Sequence, residues 1–167
     1  MAHMKRTMLL MVGILSALVI AAPMVYAQSD NGGAPEDASA TYPPELIAQF
    51  PGHCDFPMQL EISGKTKTIE QGNGGMIITS PGAFATITNL ANGEQATFNI
   101  TGSAHKSILE NGNVKTVMTG RNFALDPVAG TVITIGRFSF VNEPTDTTNV
   151  VPVSGKGQMI DVCTLLS

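Results

Sequence analysis

The stretch ATITNLANGEQATFNIT, residues 85–101, decides the fold. Asn92-Gly93 is a strong hairpin signal, because both central residues of a two-residue type I′ loop need positive φ and these two tolerate it. Such a loop predicts that Ile87 faces Phe98 and Ala85 faces Ile100, while Thr86 faces Asn99 and Thr88 faces Thr97. One face of the hairpin is then apolar and the other polar. Turn chemistry and alternation are independent signals, and here they agree.

Working outward, short segments rich in Ile, Val, Thr and Phe are separated by Gly, Asn and Pro, and none keeps apolar residues at helical spacing. The chain reads as all-β. A second hairpin is expected around Asn111-Gly112-Asn113, with two registers open. A loop of Asn111-Gly112 pairs Leu109 with Val114, whereas Gly112-Asn113 pairs Glu110 with Lys115 and Ile108 with Val117. In residues 131–141, Ile133 and Ile135 share one face while Phe138 and Phe140 fall on the other. A bulge at Gly136-Arg137 would return both pairs to the same side. Further strands are predicted at 58–62 with 65–70, 76–79 and 157–163, about eight in all. The expected architecture is a single antiparallel meander closed into a β-barrel, with a two-sheet β-sandwich as the alternative.

Upstream, residues 4–27 read as an export signal peptide. Lys5 and Arg6 supply the positive start, residues 8–22 are almost unbroken apolar, and Val25 and Ala27 lie three and one before a cut ahead of Gln28. A retained membrane anchor is the alternative, since a run of this length also crosses a bilayer. Pro23 and the small residues after it favour cleavage. The organisation expected is therefore a signal peptide at 1–27, a flexible linker at 28–49 with room for one helical turn between Pro44 and Pro51, and a β domain at 50–167. That places the protein outside the cytoplasm.

The chain carries a net charge of −4, and loss of Lys5 and Arg6 with the leader leaves seven basic against thirteen acidic residues, net −6. This disfavours nucleic acid and anionic membrane surfaces, which need clustered Lys and Arg. The two cysteines, Cys54 and Cys163, are expected to form a disulfide in an oxidising compartment. Closing so long a loop is worth on the order of 4 to 5 kcal/mol in the chain-entropy model. The competing reading, a metal or reactive thiol at His53-Cys54-Asp55, fails because neighbouring residues on a strand point to opposite faces.

Candidates for chemistry are few. There is no Gly-x-Ser-x-Gly elbow and no zinc-spaced histidine pair, and nothing calls for a cofactor. His105, close to Ser103 and Ser107, is a candidate proton carrier at a barrel mouth, against the ordinary reading of a half-exposed strand histidine. Arg121 and Arg137 are the only arginines after the leader. Either could bind a carboxylate or phosphate with its forked donors, against the ordinary reading of an outward-facing arginine. Gly72-Asn73-Gly74-Gly75 lacks the lysine and helix of a phosphate loop and reads as a turn. Asn99-Ile100-Thr101 matches the glycan acceptor pattern. Absence of tryptophan disfavours a carbohydrate-binding module and a lipocalin.

Cys54-Asp55-Phe56-Pro57, Thr88-Asn89-Leu90 with Gly93, Asn99-Ile100-Thr101-Gly102, Gly136-Arg137 and Asp161-Val162-Cys163 together resemble a group of small secreted proteins from actinobacteria and related bacteria. The resemblance covers residues 50–167. It implies an exported β domain with Cys54 paired to Cys163, and transfers no active site. Three functions are carried forward: a secreted, non-enzymatic β domain binding a small apolar molecule or a protein partner, a barrel-cavity enzyme of cyclase or isomerase type, and a cell-envelope structural protein.

Overall fold

The computed structural model describes residues 33–143 and 149–167, so the leader and residues 28–32 of the linker lie outside the described residues. Among the described residues, eleven strands and two short helices are formed: β1 Glu36–Asp37, β2 Ala40–Tyr42, α1 Pro44–Ile47, β3 Met58–Ser63, β4 Lys65–Glu70, β5 Met76–Thr79, β6 Phe84–Asn89, β7 Gln95–Asn99, β8 Gly102–Ile108, β9 Val114–Asp126, β10 Gly130–Asn142, β11 Asn149–Asp161 and α2 Val162–Leu165. The strands build two antiparallel sheets, of order β1-β4-β5-β8-β9-β10-β11 and β2-β3-β6-β7. The all-β class holds.

The closed barrel does not. Neither sheet closes, and β1 and β11 lie at opposite edges of the larger one. A single meander fails at the corners: β3 and β4 are separated only by Gly64 yet belong to different sheets, and the chain changes sheet again between β5 and β6 and between β7 and β8. The Cys54–Cys163 disulfide is present, with Cα atoms 5.3 Å apart. It joins the loop before β3 to α2 after the last strand, so it marks no ladder that could close a barrel.

The segment expected as a flexible linker is structured in part. β1 pairs with β4 at an edge of the larger sheet, β2 pairs with β3 at an edge of the smaller one, and α1 follows Pro43 directly. Its short backbone ladders need no apolar side chains, which is why composition did not reveal them.

The hairpin of residues 85–101 forms, but two residues out of the expected register: Ala85 pairs with Phe98, Ile87 with Ala96 and Thr86 with Thr97. Among the described residues only glycines have positive φ, which excludes a type I′ turn through Asn92. Instead Gly93 N–H donates to the Asn89 carbonyl and Asn89 N–H to the Glu94 carbonyl, closing a four-residue loop. A shift of two leaves every side chain on its expected face. The second hairpin takes neither expected register. Leu109 N–H donates to the Asn113 carbonyl and Ile108 pairs with Val114, around a three-residue loop.

The apolar face of the small sheet packs on the large one. Leu60, Ala85, Ile87 and Phe98 meet Phe123, Ile133, Ile135 and Ile160, with Cys54, Val162 and Leu166 sealing one end. A second cluster contains Met118, Ala124, Val132, Phe138 and Val153. Strand β10 therefore buries both faces, and the bulge at Gly136-Arg137 is not needed and not formed. Ile135, Gly136 and Arg137 pair in regular register with Arg121, Gly120 and Thr119 on one side and Gln158, Gly157 and Lys156 on the other. The irregularity in β10 comes later, beyond Ser139.

The large sheet curls back on itself. Asp126 pairs with Gly130, whereas Ser154 pairs with Ser139, nine residues along β10, about 30 Å in an extended strand. Yet Val153 N–H donates to Asp126 Oδ2 at 2.7 Å. Between the two points brought together runs a row of glycines, Gly102-Gly120-Gly136-Gly157, one on each of four adjacent strands. Gly136 and Gly157 have φ of +135° and +141°, and a Cβ at Gly157 would sit 2.0 Å from the Ile135 carbonyl oxygen. Only glycine allows the strands to pass there in this shape.

Asp161 caps α2, its carboxylate accepting from Thr164 N–H at 3.0 Å and Thr164 Oγ1–H at 2.7 Å. The backbone donor, then the hydroxyl, holds its pKa below the ordinary 3.8. Asp37 is lowered by the Ser39 hydroxyl and then by the Ser39 N–H.

Three outcomes are expected. Gly157→Ala lowers stability by about 1–3 kcal/mol and accelerates amide exchange at Val153, read by denaturant titration and hydrogen exchange. Asp126→Ala costs about 3 kcal/mol, because three backbone donors lose their acceptor, and unchanged stability would refute the curl as described. Asp161 is ionised at lower pH in the folded than in the unfolded chain, so its contribution is present above about pH 4 and lost as pH falls through the folded pKa. Melting temperatures between about pH 5 and pH 2 should fall less steeply for Asp161→Asn than for the parent.

Candidate functional site

Half of one face of the large sheet is covered by the small sheet and half is open. The covered part carries Phe123, Ile133, Ile135 and Ile160. Past the glycine row, alternation continues the same face of β9 and β10 into polar residues, because pleating puts every second side chain on it. Cross-strand pairing arranges them in rows. Ser103, Thr119, Arg137 and Lys156 form one row, and His105, Val117, Ser139 and Ser154 the next. Ser107 pairs with Lys115 and Lys115 with Val141 in a third.

These rows border an open concavity of about 470 Å³, lined by Lys115, Val117, Arg137, Ser139, Ser154 and Lys156 together with Phe138 and Gly155. Arg137, Lys115 and Lys156 are all exposed. No carboxylate lines the concavity, and among the described residues no ion pair is formed by any of the three cations. Chemically the lining is a set of hydrogen-bond donors: a guanidinium fork, two ammonium groups and two hydroxyls around one apolar side chain. It can hold an anion.

Register puts all three sequence candidates on this face of the large sheet, but only Arg137 lines the concavity. Arg137 lines the concavity, exposed on the open face and not enclosed in a barrel. His105 lies on the same face, directly across from Val117 and beside Ile77, and is exposed. Ser103 and Ser107 flank it in β8, but Ser103 Oγ is engaged with Thr119 Oγ1 at 2.8 Å. Arg121 pairs with Ile135 at the glycine row, exposed and away from the concavity. Lys115 and Lys156 were not singled out from the sequence. Their signal was the period-two pattern Lys115, Val117, Thr119 and Arg137, Ser139, which only strand order turns into a patch.

Other sequence features fall elsewhere. His53 is exposed, with Nδ1 2.8 Å from the Phe50 carbonyl oxygen, and Cys54 is in the disulfide. The glycine cluster is the β4–β5 turn, closed by Gln71 N–H on the Gly75 carbonyl. Asn99 ends β7, its Oδ1 accepting from Thr101 N–H at 2.8 Å. Among the described residues no three His, Cys, Asp or Glu side chains gather as a metal site, and no helix is long and apolar enough to cross a membrane. No protein-family model, curated protein or solved structure matches the chain.

Proposed function

We propose that this chain is an extracytoplasmic, non-enzymatic binding domain that takes its ligand on the open half of the large sheet. The observation that carries the reading is the concavity at Arg137, whose lining offers donors and cations and no paired nucleophile and base. General acid–base or nucleophilic catalysis needs such a pair within hydrogen-bond reach. The volume, about 470 Å³, lies within the range of small-molecule sites. The disulfide supports work in an oxidising compartment.

The barrel-cavity enzyme loses the closed barrel it required. The space between the sheets is filled by Leu60, Ile87, Phe98, Ile133 and Ile160, and His105 and Arg137 both face outward. A lining of three cations and two hydroxyls also argues against an apolar ligand.

Native mass spectrometry of the full-length chain, exported with its leader and purified from the medium, tests the reading. The expected product starts at Gln28, lacks free thiols and carries a bound small molecule. That added mass disappears in the variant Lys115→Met, Arg137→Met, Lys156→Met. A retained leader with reduced cysteines, or no bound species in any preparation, overturns it.

A further inference from the structure

We infer that the concavity recognises the phosphate group of a small organic phosphate; the inference rests on the binding-domain reading above and names its ligand class. Its basis is a pair of like charges that the fold places side by side. Arg137 and Lys156 are direct cross-strand partners, Cα to Cα in register, on the same face. Side chains so placed have Cβ atoms about 5 Å apart, and like charges there are destabilising. A third cation, Lys115, lies on β9 across the same concavity. Nothing among the described residues neutralises any of them, in a chain whose net charge is −4.

Gathering three of nine basic side chains around one concavity is therefore a cost to the free protein that a bound anion removes. The number and type of donors select among anions. A carboxylate brings one charge and two oxygens. A phosphate monoester brings close to two charges and three acceptor oxygens, which suits a guanidinium fork with one ammonium group beside it, at Lys156, and a second, at Lys115, across the concavity. Ser139 and Ser154, paired across the β10–β11 ladder, add hydroxyl donors next to the Arg137–Lys156 pair. The concavity is larger than a phosphate group, and Val117 gives its floor an apolar spot against which a carbon skeleton can rest.

The test uses the disulfide-intact chain, followed by backbone NMR and thermal unfolding, with glycerol 1-phosphate, glycerate and glycerol as probes. Glycerol 1-phosphate should produce saturable shifts confined to the segments around Lys115, Arg137 and Lys156, and glycerol none. Glycerate, with a single carboxylate, should bind more weakly. Arg137→Met and Lys156→Met should each weaken glycerol 1-phosphate by about tenfold or more, while Lys67→Met, on β4 and away from the concavity, leaves it unchanged. The free Arg137→Met protein should melt at a higher temperature than the parent and lose the stabilisation that glycerol 1-phosphate gives, because repulsion and ligand are removed together. Equal, non-saturating shifts at every lysine with both anions, unaltered binding in Arg137→Met, or a lower melting temperature for that free variant would each overturn the inference. If the exported protein carries a neutral molecule at these residues, the phosphate assignment fails and the binding domain stands; if it carries nothing, the binding domain fails as well.

Discussion

A buried carboxylate holds the large sheet in its curled shape. Asp126 is fully buried, and its oxygens accept from Val128 and Ala129 N–H within the β9–β10 turn and from Val153 N–H on β11. A buried carboxyl group is tolerated only when its oxygens are hydrogen-bonded, so the turn and the remote strand must both be in place for the interior to form. With Asp126 seated, Val132, Met118, Phe138 and Val153 close into the second cluster. The opposite face becomes the outer one, and its far half is where Arg137, Lys115 and Lys156 stand.

Strand β10 shows how one segment serves two interiors. Ile133 and Ile135 pack toward the small sheet, Val132 and Phe138 into the curl. The two clusters lie on opposite sides of the same strand, in regular register across Gly136. The glycine row lets the backbone bend between them with no extra residue. The disulfide acts at the other end of the first cluster, tying Cys54 to α2, where Asp161 and the Asn89 side chain, which donates to the Leu166 carbonyl at 2.8 Å, fix the chain's close.

Much of this was legible in the sequence, and the misses share a cause. The alternation of Ala85, Ile87, Phe98 and Ile100 gave the correct apolar face even though the loop at Asn89 to Glu94 moved the register by two, because strand periodicity is insensitive to even shifts. The bulge was inferred from the assumption that a strand buries one face, and β10 buries two. The barrel was inferred from short connections, which the corners at Gly64 and between β5 and β6 redirect into a second sheet. Of the site, Arg137 stood out as a rare arginine in an apolar stretch. Lys115 and Lys156 could not, since they are 41 residues apart in sequence and meet only through the order β9-β10-β11.

The N-terminal segment stitches an edge of each sheet in turn, β1 onto β4 and then β2 onto β3. In the order β1-β4-β5-β8-β9-β10-β11, six strand spacings separate that stitched border from the ladder bearing Lys156, roughly 29 Å along the sheet. The described chain thus begins at the border remote from Arg137. An attachment made at that border would leave strands β10 and β11, with Arg137 and Lys156, at the opposite side of the large sheet.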